Sequence, residues 1–343
     1  MEFNNREKLY KRENPKVTLV IPAYNQDKFI NKIYASIEQQ NLKDIEIIFV
    51  DDFSEDNSEK IINELMEIDK RIVYIKNKEN KGVLYSRNKG ILNAKGEYVL
   101  CLDIEDYLLN DILMKSYITA KKYNLEILQF YVMKGDSKEN TLWDGLKYKS
   151  GIIRKDDVKK VFFLGPSRNI WDKFVKREIY IKSIEFMDPK FRNDKYIVFS
   201  GDAMNFGLFK VAKSYGFLEE VGYIYNLKIP NIETHSYQNV ERTNAIFKTV
   251  FTIMEYFYEQ SDNRFEKQVA YNFYSLKVLD ICSKGGIDYI SDGFDYIVKI
   301  LNLFLNSEYY DEMQKKKLQE LKDYLSLLGK FYEISRNNTI QDI

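Results

Sequence analysis

The feature that most constrains the fold is an alternation that starts at Lys16. Short β-branched apolar runs take turns with longer stretches whose apolar residues recur at helical spacing. Val17 to Ile21, closed by Pro22, reads as a buried strand. Ile30, Ile33, Tyr34 and Ile37 then follow at the spacing of an amphipathic helix. Ile45 to Val50 is a second strand, Ile61, Ile62, Leu65 and Met66 mark a second helix, and Ile72 to Ile75 is a third strand. Gly82 to Ala94 predicts a third helix, and Tyr98 to Leu102 a fourth strand. Strands alternating with helices of this length imply parallel βαβ units with right-handed crossovers, hence an α/β fold with a mostly parallel sheet flanked by helices.

In such a sheet the ligand crevice lies beyond the carboxyl ends of the strands. That rule selects Pro22 to Asn25, Asp51 to Ser54, and Asp103 to Asp106, all polar or turn-forming. Asp103-Ile104-Glu105-Asp106 makes the strongest chemical demand. Three carboxylates within four residues repel one another unless a cation or donors compensate, and hard oxygen ligands suit Mg²⁺ or Mn²⁺. Pro22, Ala23, Tyr24 and Asn25 form a turn whose backbone can border a flat base. Asp51 and Asp52 close the second strand, where an exposed carboxylate can accept an imide N–H, although acids here also suit the start of a helix. Gly82 fits a tight helix entry, and Arg87 is placed to pair either with a phosphate or with Asp103 or Asp106.

Elsewhere the pattern is coarser. Lys134 to Lys160 loosens into a polar stretch that reads as a linker or surface excursion, and order returns over 161–226. From about Asn244, residues such as Ile246, Val250, Ile253 and Phe257 recur at helical spacing. Those helices need a partner for their apolar faces, either the preceding domain or a second copy. Lys315, Lys316 and Lys317 also permit peripheral contact with a membrane surface. Lys+Arg and Asp+Glu balance at 52 each, which excludes the basic stripe of a nucleic-acid binder. No apolar run reaches the roughly 18 residues needed to cross a bilayer, so the expectation is a soluble, cytoplasmic protein. Cys101 and Cys282 are too few and too distant for a disulfide framework and read as buried thiols.

Four ordered blocks, VTLVIPAYN (17–25), IEIIFVDDFSEDNS (45–58), NKGVLYSRNKGI (80–91) and GEYVLCLDIED (96–106), resemble the nucleotide-sugar domain of family 2 glycosyltransferases. The resemblance covers about residues 16–240. It implies a GT-A, Rossmann-like catalytic domain there, after an extension over 1–15 and before a helical region over 241–343. It further implies inverting transfer from a nucleotide sugar, by default a UDP-sugar, to a hydroxyl of a glycan or lipid-linked glycan in bacterial surface polysaccharide synthesis, such as capsule or lipooligosaccharide. Such work places a protein in the cytoplasm or at the inner face of the membrane.

Carried over residue by residue, the resemblance places Pro22, Ala23, Tyr24, Asn25, Asp52, Gly82, Arg87, Asp103 and Ile104 against the donor. Glu105 becomes the metal ligand, where the family usually has the second Asp of Asp-x-Asp-Asp, and Asp106 supports it. Trp171 and Lys173 fall in the segment leading to the acceptor site, with Trp171 either stacking on a sugar or packing in the core. Asp202 matches the base of the family's Glu-Asp pair, with Gly201 in place of the Glu, or else caps a helix. His235, the single histidine, is a metal or phosphate contact or a loop residue. Two rival readings remain. One is a degenerate domain serving binding or assembly. The other is a nucleotidyltransferase, for which PAYNQDKFI lacks the Gly-rich basic loop.

Overall fold

In the computed structural model, β1 (Val17–Ala23) and β2 (Ile45–Asp51) are buried along their whole length, as parallel strands covered on both faces must be. The structure describes residues 14–109, 111–135, 140–142, 151–163, 169–187 and 200–226, plus isolated helical positions between 302 and 323. The chain divides into two units, Met1–Lys195 with Ser200–Ile229, and Tyr196–Phe199 with Pro230–Ile343. The expected boundary near 240, most of the helical C-terminal region and the first thirteen residues lie outside the described residues. So do Cys282 and the helix marked by Ile246 to Phe257.

β1 pairs in parallel with β2 and with β4 (Tyr98–Cys101), and β2 with β3 (Ile72–Lys76). The intervening helices are α1 (Asp27–Glu38), α2 (Ser58–Ile68) and α3 (Val83–Asn93), matching the periodicity. Ile30, Ile33 and Ile37 of α1 and Ile62 and Leu65 of α2 are buried against the sheet. β1 does not stop at Pro22, because Pro22 pairs with Val50 and Ala23 with Asp51. Ala23 and Pro22 face opposite neighbours, and the Ala23 carbonyl accepts from Asp52 N on the β2 side. The missing N–H of Pro22 thus points to the β4 side, where pairing has already ended at Val20.

The remaining described elements are β5 (Tyr107–Leu108), α4 (Ile112–Tyr123), β6 (Ile127–Gly135), β7 (Asn140–Leu142), β8 (Ile152–Arg154), α5 (Asp157–Phe163), β9 (Lys173–Lys176), α6 (Arg177–Phe186), α7 (Ser200–Val211) and β10 (Ser214–Asn226). Among the described residues, ten strands form one sheet in the order β3-β2-β1-β4-β9-β6-β10-β5, with β7 on β6 and β8 on β10. The sheet is parallel from β3 to β4 and mixed beyond, where β9 runs antiparallel to both β4 and β6. The stretch 134–160, expected as a linker or surface excursion, contains the end of β6, all of β7 and β8 and the start of α5. Three-residue strands are too short to show a period of two. No helix among the described residues is long and apolar enough to cross a membrane.

The amino edge of the parallel half is locked by one buried carboxylate. Glu46 Oε2 accepts from Thr18 Oγ1 at 2.7 Å and from Lys95 N at 2.8 Å, while Thr18 Oγ1 accepts from Gly96 N at 2.8 Å. The starts of β1, β2 and β4 are thereby tied together. Gly96 is required by space, since a Cβ there would overlap the backbone nitrogen of Thr18. Gly96→Ala should therefore destabilise the fold by about 1–3 kcal/mol, the usual cost of overpacking. Urea unfolding checks this, and a variant within experimental error of the parent would show that the two segments separate freely.

Candidate active site

At the carboxyl edge, side chains hold the loops through backbone groups. Asp52, buried at the end of β2, accepts from Asn77 Nδ2 at 2.7 Å and Lys81 N at 2.8 Å on one oxygen, and from Gly82 N at 2.7 Å on the other. Those bonds fix the turn into α3, which Gly82 enters at φ 86, a conformation natural to glycine. A carboxylate offers about four acceptor positions, so three bonds leave capacity for one more. Asp51 is fully buried and accepts from Ser54 N at 2.8 Å and the Tyr74 hydroxyl at 2.5 Å. Burial, and then Asp51, push the Tyr74 phenol well above its ordinary range.

The β1 and β2 loops are also clasped to each other. Asn25 N donates to Ser54 Oγ at 3.0 Å, Asn25 Oδ1 accepts from Glu55 N at 2.8 Å, and Asp27 N donates to Asp56 at 2.9 Å. Asn25 sits at φ 50 and Phe53 at φ 70. Tyr24 and Phe53, neighbours in sequence of Asn25 and Ser54, are 46% and 42% exposed.

The acidic loop after β4 is cradled by the end of β10. The Tyr223 hydroxyl donates to Asp106 Oδ2 at 2.7 Å and accepts from Asp103 N at 3.2 Å. Asn226 N donates to Asp106 Oδ1 at 2.8 Å, and Asn226 Nδ2 to the Glu105 carbonyl at 3.2 Å. Asp106 is buried, and burial together with neighbouring Asp103 pushes its carboxyl well above the usual range. Ile104 points into the core, so its ligand contacts are limited to its backbone. Asp103 and Glu105 straddle it, both partly exposed, and Arg87 of α3 forms an ion pair with Asp103. Behind the loop, Trp171 stacks on Tyr223 with ring centroids 4.8 Å apart and planes 4° from parallel.

The segment leading into β9 carries a second polar cluster. Lys173 has no solvent exposure, and its ammonium donates to Asp172 Oδ1 at 2.7 Å and to the Asn169 carbonyl at 2.6 Å. Asp172 Oδ2 accepts from Gln129 Nε2 at 2.8 Å, and Gln129 Oε1 from the Tyr215 hydroxyl at 2.8 Å. Asp202 lies buried in the first turn of α7. Burial lowers the pKa of Lys173, while Asp172 and, more weakly, Asp202 raise it.

This architecture has known relatives. The family model described as "Glycosyl transferase family 2" matches residues 18–180. The chain carries a family 2 glycosyltransferase domain. Glycosyltransferase GlyA of Streptococcus pneumoniae serotype 4 is 28% identical over 195 residues, which is 53% of this chain and 27% of GlyA. A Campylobacter jejuni relative named GalNAc(5)-diNAcBac-PP-undecaprenol beta-1,3-glucosyltransferase is 37% identical over 151 residues, 43% of this chain and 49% of that protein. The matches thus span about a quarter and about half of those relatives. The crystal structure of Staphylococcus aureus TarS residues 1–349 with UDP-GlcNAc superposes with a TM-score of 0.70 at 14% identity, covering 92% of this chain and 88% of that one. The fold is therefore GT-A.

Within this family 2 domain, the residues expected at the donor side gather along one edge. Pro22 to Asn25, Asp52, Gly82, Arg87 and the 103–106 loop all lie at or just beyond the carboxyl ends of β1, β2 and β4. Arg87 takes the carboxylate alternative, and Trp171 is 5% exposed in an aromatic stack, a core position. Asp202 is not an N-cap, because α7 begins two residues earlier at Ser200. Cys101 is a free buried thiol, and burial pushes it up to about 11. His235 lies outside the described residues.

Sequence reasoning missed Asn77, Tyr223 and Asn226, which hold the site from behind. Asn77 was accessible, because it follows β3 just as Asp52 ends β2. Tyr223 was not, since its bonds to Asp103 and Asp106 span 120 and 117 positions and depend on where β10 falls in the sheet. Tyr223→Phe removes one acceptor and one donor beneath the acidic loop and should cost about 1–3 kcal/mol of stability. Denaturant titration measures this, and a loss under about 0.5 kcal/mol would show that the loop holds itself.

Proposed function

We propose that this chain is an inverting, metal-dependent glycosyltransferase that moves a sugar from a UDP-sugar to a hydroxyl of a bacterial surface glycan. The observation that carries this reading is the pairing, on one sheet edge, of the Asp52-held turn with the Asp103–Glu105 acid pair. The names of two relatives support it, since TarS was crystallised with UDP-GlcNAc and the Campylobacter protein is named for a glucosyl transfer onto an undecaprenol-linked glycan.

In this reading, the Pro22–Asn25 turn borders the uracil and the remaining acceptor position of Asp52 takes its imide N–H. The donor set at 103–105 fits a hard divalent cation, offering two carboxylates on a loop that Tyr223 and Asn226 immobilise. Among the described residues no group of three or more His, Cys, Asp or Glu side chains forms a metal site, and Asp103 and Glu105 are the residues that would hold the cation. Mn²⁺ or Mg²⁺, if held there, would supply neutralisation of the charge on the leaving diphosphate. Arg87, buried against Asp103, orients that carboxylate.

Asp202 is the base. It takes the proton of the acceptor hydroxyl as the oxygen bonds to the anomeric carbon, while the bond to UDP breaks on the opposite face and its electrons leave with UDP. The acceptor is a glycan, free or lipid-linked, reached from the cytoplasmic face of the membrane. Residues 241–343 serve packing or self-association.

UDP with Mn²⁺ should raise the thermal midpoint, by about 2.7 kcal/mol of stabilisation at a hundred times Kd, and UDP in excess chelator should do less. Equal shifts in both would remove the metal from the reading. Glu105→Ala should abolish the metal-dependent part.

Asp202→Asn keeps the size of the side chain, so UDP binding should persist while turnover falls about 10² to 10⁴-fold. Screening UDP-sugars for UDP release measures both parent and variant. A parent-like rate in the variant would make Asp202 architectural.

A further inference from the structure

The reaction leaves Lys173 without a role, although its environment is unusual. Taking charges out of water is costly, and an apolar side chain of similar volume often stabilises a fold as well or better. Here an ammonium and two carboxylates, Lys173, Asp172 and Asp202, share one buried region. Stability alone is a weak reason for such a cluster.

Its geometry supplies a better one. The Asn169 carbonyl accepts from Lys173 Nζ at 2.6 Å and also from Asn205 Nδ2 at 3.0 Å. Asn205 belongs to α7 and lies one helical turn beyond Asp202, and its amide also donates to the Gly201 carbonyl at 2.8 Å. Lys173 therefore meets Asn205, in the second turn of α7, on one carbonyl, and Asn205 in turn holds the Gly201 carbonyl of the first turn. Asp172 is in turn anchored to β6 and β10 through Gln129 and Tyr215, so the ammonium is held from the sheet side. The chain of contacts runs from the sheet through Lys173 to the turn that carries the base.

We propose that Lys173 is a positioning residue for sugar transfer: held by Asp172 and the Asn169 carbonyl, it fixes the first turn of α7 and so the direction of Asp202. This rests on Asp202 being the base. The positive field of the ammonium at Asp202 accompanies the mechanical link.

Lys173→Met, Asp202→Asn and the double variant test this in the full chain. Two readouts are needed: amide hydrogen exchange, and UDP release from UDP-GlcNAc with water as acceptor, with kcat and donor KM measured separately. For Lys173→Met, exchange over 200–206 should quicken about tenfold while the β1 and β2 amides stay protected, a local opening rather than a global one. Its kcat should fall about 10-fold or more with donor KM within about twofold, and the double variant should be no slower than Asp202→Asn alone.

Unchanged exchange over 200–206, or equal loss of protection across the central strands, would overturn the proposal, as would kcat losses that multiply. If Asp202→Asn alone keeps the parent rate, the base assignment fails, while the exchange result still decides whether Lys173 orders α7. Should Lys173→Met not fold, Asn205→Ala removes the α7 side of the shared carbonyl and is read by the same exchange criterion.

Discussion

The parallel pairing of β1 with β2 on one side and β4 on the other is the constraint from which the site follows. Because the three strands run the same way in fixed register, their ends arrive together, and so do Ala23, Asp51 and the residues after Cys101. The pairing is sustained by burial on both faces and by Glu46, which ties the starts of the strands. A slip of one residue would turn every side chain to the opposite face and part Asp52 from the turn it holds.

What stands on that edge is organised from behind. Asp52 shapes the entry to α3, while Tyr223 and Asn226 shape the acidic loop. The residues meant for ligand and those meant for architecture overlap less than a motif suggests. Asp103 and Glu105 keep partial exposure, whereas Asp106, buried and bonded twice by β10, belongs to the framework.

The parallel half of the fold was legible because each element there is long enough to show its period. Ile30, Ile33 and Ile37, or the run Ile45 to Val50, announce themselves within a single element. β7, β8 and β9 did not, being three or four residues long and defined by partners far along the chain. The same division holds at the site. Residues that follow strands, such as Asp52 and Asp103, could be read directly, as could the family resemblance that the comparison over 18–180 bears out. The buried network of Asp172, Gln129 and Tyr215 around Lys173 could not, because hydrogen bonds across 43 or 86 positions leave no local pattern.

Much of the rim is fastened through main-chain groups. The Asp52 carboxylate takes the amides of Lys81 and Gly82, Asn25 Oδ1 takes the amide of Glu55, and Ser54 Oγ takes the amide of Asn25. An amide is present whatever the side chain, proline excepted. The side chain of Glu55 is thus released from holding its loop, and that of Lys81 adds only an exposed ion pair with Glu79. Substitution there can change what an incoming ligand meets while the path of the loop stays the same. The rim is free to drift in chemistry over a fixed backbone, which is how one scaffold comes to serve many sugars and acceptors.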